Sequence, residues 1–194
     1  MTGHFHTLSY QHEWLAEIWQ KQLGSQNEEQ RIFELLNKGF HLGIVGGSDT
    51  HDSMPGNPDP EPSCPQPAGF MAVLADEISP DAIQESIRER RVYGTTGARI
   101  ALHIDAAGYP MGSIVPAPTP RTFRVRVEGS DGLAKVELVK NGFAVTRVDL
   151  SQMAWEGVLI DPTNEIGKTD WYLIRTTQKD GHRAWSSPIW FGNS

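Results

Sequence analysis

Apolar residues along this chain change their period near residue 100. Before that point, Trp14, Leu15, Ile18 and Trp19 recur at the spacing of one helical face, which predicts a helix over residues 13–22. Ile32, Leu35 and Leu36 form a second stripe over 28–38. Asn27 is placed to cap that helix, Glu28 and Glu29 suit its first turn, and Gly39 suits its stop. Short apolar runs at 42–45 and 70–75 read as strands. Ser79-Pro80-Asp81 then starts a further helix reaching Arg91, a cap followed by proline at the first helical position, with Ile83 and Ile87 facing inward.

Beyond residue 100 the period drops to two. Strands are predicted at 100–104, 122–128, 134–140, 144–150, 154–160, 171–178 and 184–190. Ser130-Asp131-Gly132, Asn141-Gly142 and Lys179-Asp180-Gly181 separate them, and Asn-Gly between two alternating runs is a strong hairpin signal. Short strands at this spacing predict an antiparallel β-sandwich over 99–194, following an α/β segment over 1–98. Trp155, Trp171, Trp185 and Trp190 fall within these strands and read as core rather than as a sugar platform.

Charge and cysteine usage narrow the partners. The formal net charge is −7, with 24 Asp plus Glu against 17 Lys plus Arg. A backbone-tracking nucleic-acid binder needs a basic face, so nucleic acid is not an expected partner. Cys64 is the sole cysteine, which excludes an intrachain disulfide framework and a cysteine-built zinc site. No apolar stretch approaches the length of a transmembrane helix. The opening residues MTGHFHTLSY lack the basic region and apolar core of a signal peptide, so a cytoplasmic protein with no membrane partner is expected. Residues 55–67 hold six prolines in 13 positions; they read as an extended solvated loop, and one that starts close enough to His51 to cover it.

The candidate chemistry sits in Gly43-Ile44-Val45-Gly46-Gly47-Ser48-Asp49-Thr50-His51. A short buried strand ends in two glycines and then presents Asp49 and His51. In an extended backbone these two side chains point to the same side. A carboxylate and an imidazole held together at a strand's C-terminal end form half of a metal site. An Asx-type turn with a surface histidine accounts for the same residues. Of the arginines, Arg88, Arg90 and Arg91 suit a solvated helix end, whereas Arg99 is a candidate for holding a substrate's anionic group. His41 reads as an edge residue or as a group orienting a ligand.

Three blocks carry a resemblance to a known family. Gly46-Gly47-Ser48-Asp49-Thr50-His51, followed by Pro55-Gly56, resembles the final metal-ligand motif of the PHP (polymerase and histidinol phosphatase) superfamily. The run from Arg90 to Ile100 resembles the segment closing the catalytic domain in its CehA/McbA-like branch. The ending from Ala184 to Trp190 resembles that branch's C-terminal β extension. The resemblance implies a distorted β/α barrel holding two or three divalent metals, Mn, Fe or Zn, at its C-terminal strand ends. It assigns Asp49 and His51 to the last ligand pair. His4-Phe5-His6-Thr7 has the spelling of the family's first metal motif, which makes His4 and His6 further candidates, although that motif normally lies far upstream. Glu17-Ile18-Trp19 is similar to a glutamate-bearing strand that precedes the last motif. That likeness makes Glu17 a candidate ligand and conflicts with its reading as a surface charge on a helix.

Fewer than 100 residues precede the β half, whereas a β/α barrel takes about 200 or more. The expected fold is therefore α/β plus all-β: a partial PHP-type barrel segment followed by an antiparallel sandwich. Such a chain is a fragment, a shortened descendant, or a piece whose barrel another chain completes. The function expected is a metal-dependent hydrolase of a small-molecule phosphoester or related ester by metal-activated water, or the C-terminal portion of one. A non-catalytic interaction module with a degenerate metal site is the alternative.

Overall fold

Parallel pairing of two short strands opens the fold. Leu15–Trp19 (β1) runs beside Gly43–Gly46 (β2), with the helix Ser25–Asn37 (α1) as the crossover between them. Parallel neighbours require such a crossover. The computed structural model describes residues 14–21, 25–50, 54, 57, 66–163 and 168–192. The helix expected over 13–22 is therefore a strand. Ile18 and Trp19 are adjacent in sequence and both buried, one on each side of β1, so the apparent helical stripe is a two-sided strand. Helix α1 starts at Ser25, ahead of the expected cap at Asn27, and ends before Gly39, whose φ of 90° suits a helix stop.

Phe70–Val73 (β3), the helix Pro80–Arg88 (α2) and Val92–Thr95 (β4) follow. Ser79 caps α2 as expected, its Oγ accepting from the Ala82 amide at 3.2 Å with Pro80 at the first helical position. The remaining strands are Ala101–Ala106 (β5), Tyr109–Pro110 (β6), Ile114–Val115 (β7), Thr122–Glu128 (β8), Leu133–Lys140 (β9), Phe143–Asp149 (β10), Ala154–Ile160 (β11), Asp170–Gln178 (β12), Arg183–Ser186 (β13) and Ile189–Phe191 (β14). Most pair antiparallel, in two sheets. The larger has the order β10-β9-β12-β13-β4-β3, with β14 beside β12 and β7 beside β14; the smaller runs β11-β8-β5-β6. Between β9 and β10, Asn141 and Gly142 both take positive φ, 49° and 97°, as a tight right-twisting hairpin demands.

The two sheets enclose one core, in which Leu102, Ile104, Phe123, Val125 and Val127 meet Val136, Leu138, Tyr172 and Ile174. Strand β8 alternates strictly between buried and exposed, since the smaller sheet turns its other face to water. Strand β12 does not alternate. Its Tyr172 and Ile174 face the sandwich core, while Trp171 and Leu173 face a second cluster with Ile18, Phe33, Leu36, Ile44, Trp185 and Trp190. The larger sheet is thus the middle layer of three, with the β1–α1–β2 unit packed on its outer side.

Three contacts fix that unit in place. A Cβ added at Gly94 on β4 would come within 2.6 Å of the Val45 carbonyl carbon, so β2 and β4 touch backbone to backbone there. Ser187 Oγ accepts from the Ile44 amide at 2.9 Å and donates to Val92 O at 2.6 Å. Arg175 on β12 binds Glu137 at 2.9 Å and also pairs with Glu29 of α1. The expected boundary near residue 98 therefore falls inside one folded unit. β3 and β4 precede it, yet they extend the sandwich's larger sheet through β13.

Candidate functional site

Beyond Gly46 the chain leaves β2 through Gly47, Ser48 and Asp49. The Gly47 amide donates to Trp19 O at 2.9 Å, and Gly47 O accepts from the Gly69 amide at 2.8 Å, so the exit is anchored on both sides. The Glu17 side chain of β1 lies directly against Gly47: any side chain at 47 would overlap its carboxylate. Asp49 is exposed and left-handed, with φ of 45°, a conformation that aspartate adopts more readily than most residues.

Glu17, midway along β1, and Asp49, three residues past the end of the neighbouring parallel strand β2, are close enough that the charge of Asp49 acts on Glu17. Burial, then the negative charge of Asp49, then that of Glu28, holds the Glu17 carboxyl above its usual range. Glu28, at the start of α1, is the contributor that sequence reading missed. It looked like a first-turn helix residue, and its ion pair with Arg31 at 3.0 Å fits that role. Only the three-dimensional crossover brings its charge to Glu17.

His51, His4 and His6 lie outside the described residues, so Asp49 and Glu17 are the expected ligands whose surroundings are defined. Among the described residues no three His, Cys, Asp or Glu side chains converge into a metal cluster. Two carboxylate groups, one of them raised in electrostatic cost by the other, are chemically suited to a divalent cation, and they make half of a coordination shell.

Arg99 is elsewhere. It is exposed and lines a crevice of about 450 Å³ with Phe70, Tyr93 and Ile100. Tyr93 belongs to the sandwich core, whereas the neighbouring Gly94 backs onto β2, so this crevice opens on the far side of the sheet from the Glu17–Asp49 pair. The described end of the proline-rich run lies beside β1. Its last residue, Pro67, accepts a hydrogen bond from Trp19 Nε1 at 2.9 Å at the C-terminal end of β1. His41 occupies the opposite end of β2, its ring 4.8 Å from that of Trp190. Burial, and then the nearby Arg90, lowers its pKa and keeps the imidazole neutral at pH 7.

No protein-family model matches the chain. It is similar to an uncharacterized protein of Chlamydia trachomatis serovar D, 31% identical over 187 residues, and to one of Chlamydia muridarum, 29% identical over 187 residues. Each match takes in 87% of this chain and 30% of the relative, so the chain spans under a third of the length of these curated relatives. Among solved structures it overlaps a Jonesia denitrificans lytic polysaccharide monooxygenase at a TM-score of 0.31 and 10% identity, covering 44% of this chain and 60% of that one. An engineered protein overlaps at a TM-score of 0.31 and 25% identity, covering 49% of this chain and 20% of that one. Overlaps this loose transfer neither fold nor chemistry. Among the described residues no helix is long and apolar enough to cross a membrane.

Proposed function

We propose that this chain is the C-terminal portion of a PHP-type metal-dependent hydrolase acting on a small phosphoester or related ester. The observation that supports this reading is the nearness of Glu17 on β1 to Asp49 just past β2, its parallel neighbour, with the Glu17 carboxyl held above its usual range by burial and then by the charge of Asp49. Carboxylates so placed are relieved by a bound cation. His51, two residues after Asp49, would add a neutral nitrogen ligand, and His4 or His6 another. Mn, Fe or Zn bound there would supply an acidified water and neutralise charge developing on the scissile group. The chain's own contribution is positional: β1 and β2 aim the two carboxylates, Gly47 leaves room for Glu17, and Trp19 holds the end of the proline-rich loop beside them.

The relatives' greater length supports a barrel whose other strands lie on further polypeptide, in the same protein or a second chain, pairing along the outer edge of β1. The experiment is metal analysis of the full chain and of Asp49→Ala and Glu17→Ala, purified without chelator, together with hydrolysis of bis-p-nitrophenyl phosphate and p-nitrophenyl acetate. Stoichiometric Mn, Fe or Zn that both substitutions remove supports the reading. A metal-free, inert and monodisperse protein would favour the non-catalytic interaction module instead.

A further inference from the structure

The smaller sheet ends in β11, which among the described residues pairs only with β8. Its seven residues keep one register with β8 throughout, without a bulge. The Gly129 amide donates to Met153 O at 2.8 Å, and the Asp161 amide to Arg121 O at 3.2 Å. Bonded pairs alternate along an antiparallel ladder, so the odd-numbered residues of β11 bond to β8. The N–H and C=O groups of Ala154, Glu156, Val158 and Ile160 therefore point away from β8, to the open edge. Of these groups, Ile160 O accepts from Thr146 Oγ1 at 2.7 Å. The same four residues are exposed, Val158 at 55% and Ile160 at 57%.

The other outer strands of the sandwich are blunted. β10 has a register break between Ala144 and Thr146 and presents Arg147 and Asp149. β3 is four residues long, and β6 and β7 are two each, with Pro110 in β6. Short strands, bulges, charges and proline keep an edge from pairing. β11 is long and regular, without proline or lysine, and Glu156 is its one charge.

We propose that β11 is a dimer interface, pairing antiparallel with β11 of a second copy of this chain about a two-fold axis and joining the two smaller sheets into one. An antiparallel edge is complementary to itself, as a two-fold interface requires. Glu156 selects the register. With Glu156 on the axis, the two carboxylates face each other; with Gly157 on the axis, they lie diagonally adjacent on the same face. Like charges so placed repel. With Val158 on the axis, Val158 faces its own copy and each Glu156 faces Ile160 of the other copy. The carboxylates are then well apart along the strands, and each keeps Arg126 of its own β8 directly opposite. That register also gathers Val158 and Ile160 of both copies into one apolar strip, the exposed surface that pairing would cover. The edge belongs to the smaller sheet, and the inference does not rest on the metal-site reading.

Light scattering on the full chain as it leaves a sizing column tests the interface. At about 100 µM the parent is expected at twice the 21.5 kDa of one chain. Val158→Lys, at an exposed position, should keep the circular dichroism of the parent and weaken the dimer about tenfold or more. Val158→Ile should keep the dimer. In the parent, hydrogen exchange at the Glu156 and Val158 amides should slow as concentration rises, a readout that needs no variant. A monomeric parent at about 100 µM, open-ended higher assemblies, or a dimer that Val158→Lys leaves intact would overturn the proposal. Protection of the same amides in a monomer would also overturn it, by giving the edge to another segment of the polypeptide.

Discussion

Ser187 and Ile44, 143 positions apart, share a buried hydrogen bond of 2.9 Å that ties the parallel strand pair to the middle sheet. The same hydroxyl donates to Val92 O, so one small side chain satisfies two backbone groups from different layers. Ser187→Ala leaves the Ile44 amide unpaired, while Val92 O keeps only the Ser187 amide at 3.2 Å. We expect a loss of about 2 kcal/mol in global stability by urea denaturation. Hydrogen exchange should show earlier opening at Ile44 than elsewhere in the core.

Gly47 has no space for a side chain while Glu17 is present. Gly47→Ala is expected to cost about 1–3 kcal/mol through overpacking. Adding Glu17→Ala to that variant should restore part of the loss, because the obstruction is then gone. A double-mutant cycle measured by denaturant midpoint gives the coupling, and strictly additive effects would sink the idea.

The charge strain on Glu17 has a sign that pH can read. Its folded pKa lies above the ordinary value, so its ionised form disfavours folding, and stability falls as pH rises through the folded pKa. In metal-free protein, Glu17→Gln should melt higher than the parent at pH 7.5. The difference should shrink at pH 4, where the parent carboxyl is mostly protonated. Saturating Mn or Zn should reverse the order at pH 7.5, because the parent alone keeps the full anionic pair.

Asp161 gives the opposite dependence. Burial alone would raise its pKa, but hydrogen bonds from Thr163, Lys140 and Tyr172 override that and bring it to about 2. Its contribution is present above its ordinary value and is lost as pH falls from near 4 through about 2. Asp161→Asn leaves Lys140 without one charge partner, with Asp170 at 3.5 Å remaining. A loss of about 3 kcal/mol at pH 7 is expected, narrowing at pH 2.

The β half was readable because its strands obey local rules. Thr122–Glu128 and Ala154–Ile160 emerge at their expected bounds, and Asn141-Gly142 forms the hairpin its sequence announces. The run expected at 184–190 divides into β13 and β14 around Ser187 and Pro188, since proline cannot donate within a ladder. β1 was misread for a different reason. A strand covered on both faces shows no alternation, and five residues are too few to separate it from a helix. The sequence likeness around Glu17 pointed to a strand where periodicity did not. The place of Asp49 just past the end of a buried strand was legible from the two glycines that end that strand. The neighbourhood of Glu17 and Glu28 was not, because it depends on a crossover between segments that share no local pattern.

The two-sided burial of β12 bears on how this polypeptide can be handled. A piece beginning at residue 99 would lack β3 and β4 and leave one edge of β13 unpaired. It would also present Trp171, Leu173, Trp185 and Trp190 to water as one continuous oily wall. Such a piece should clump rather than behave as a free-standing module. Any useful dissection has to cut before Leu15, where β1 begins, and leave everything after it intact.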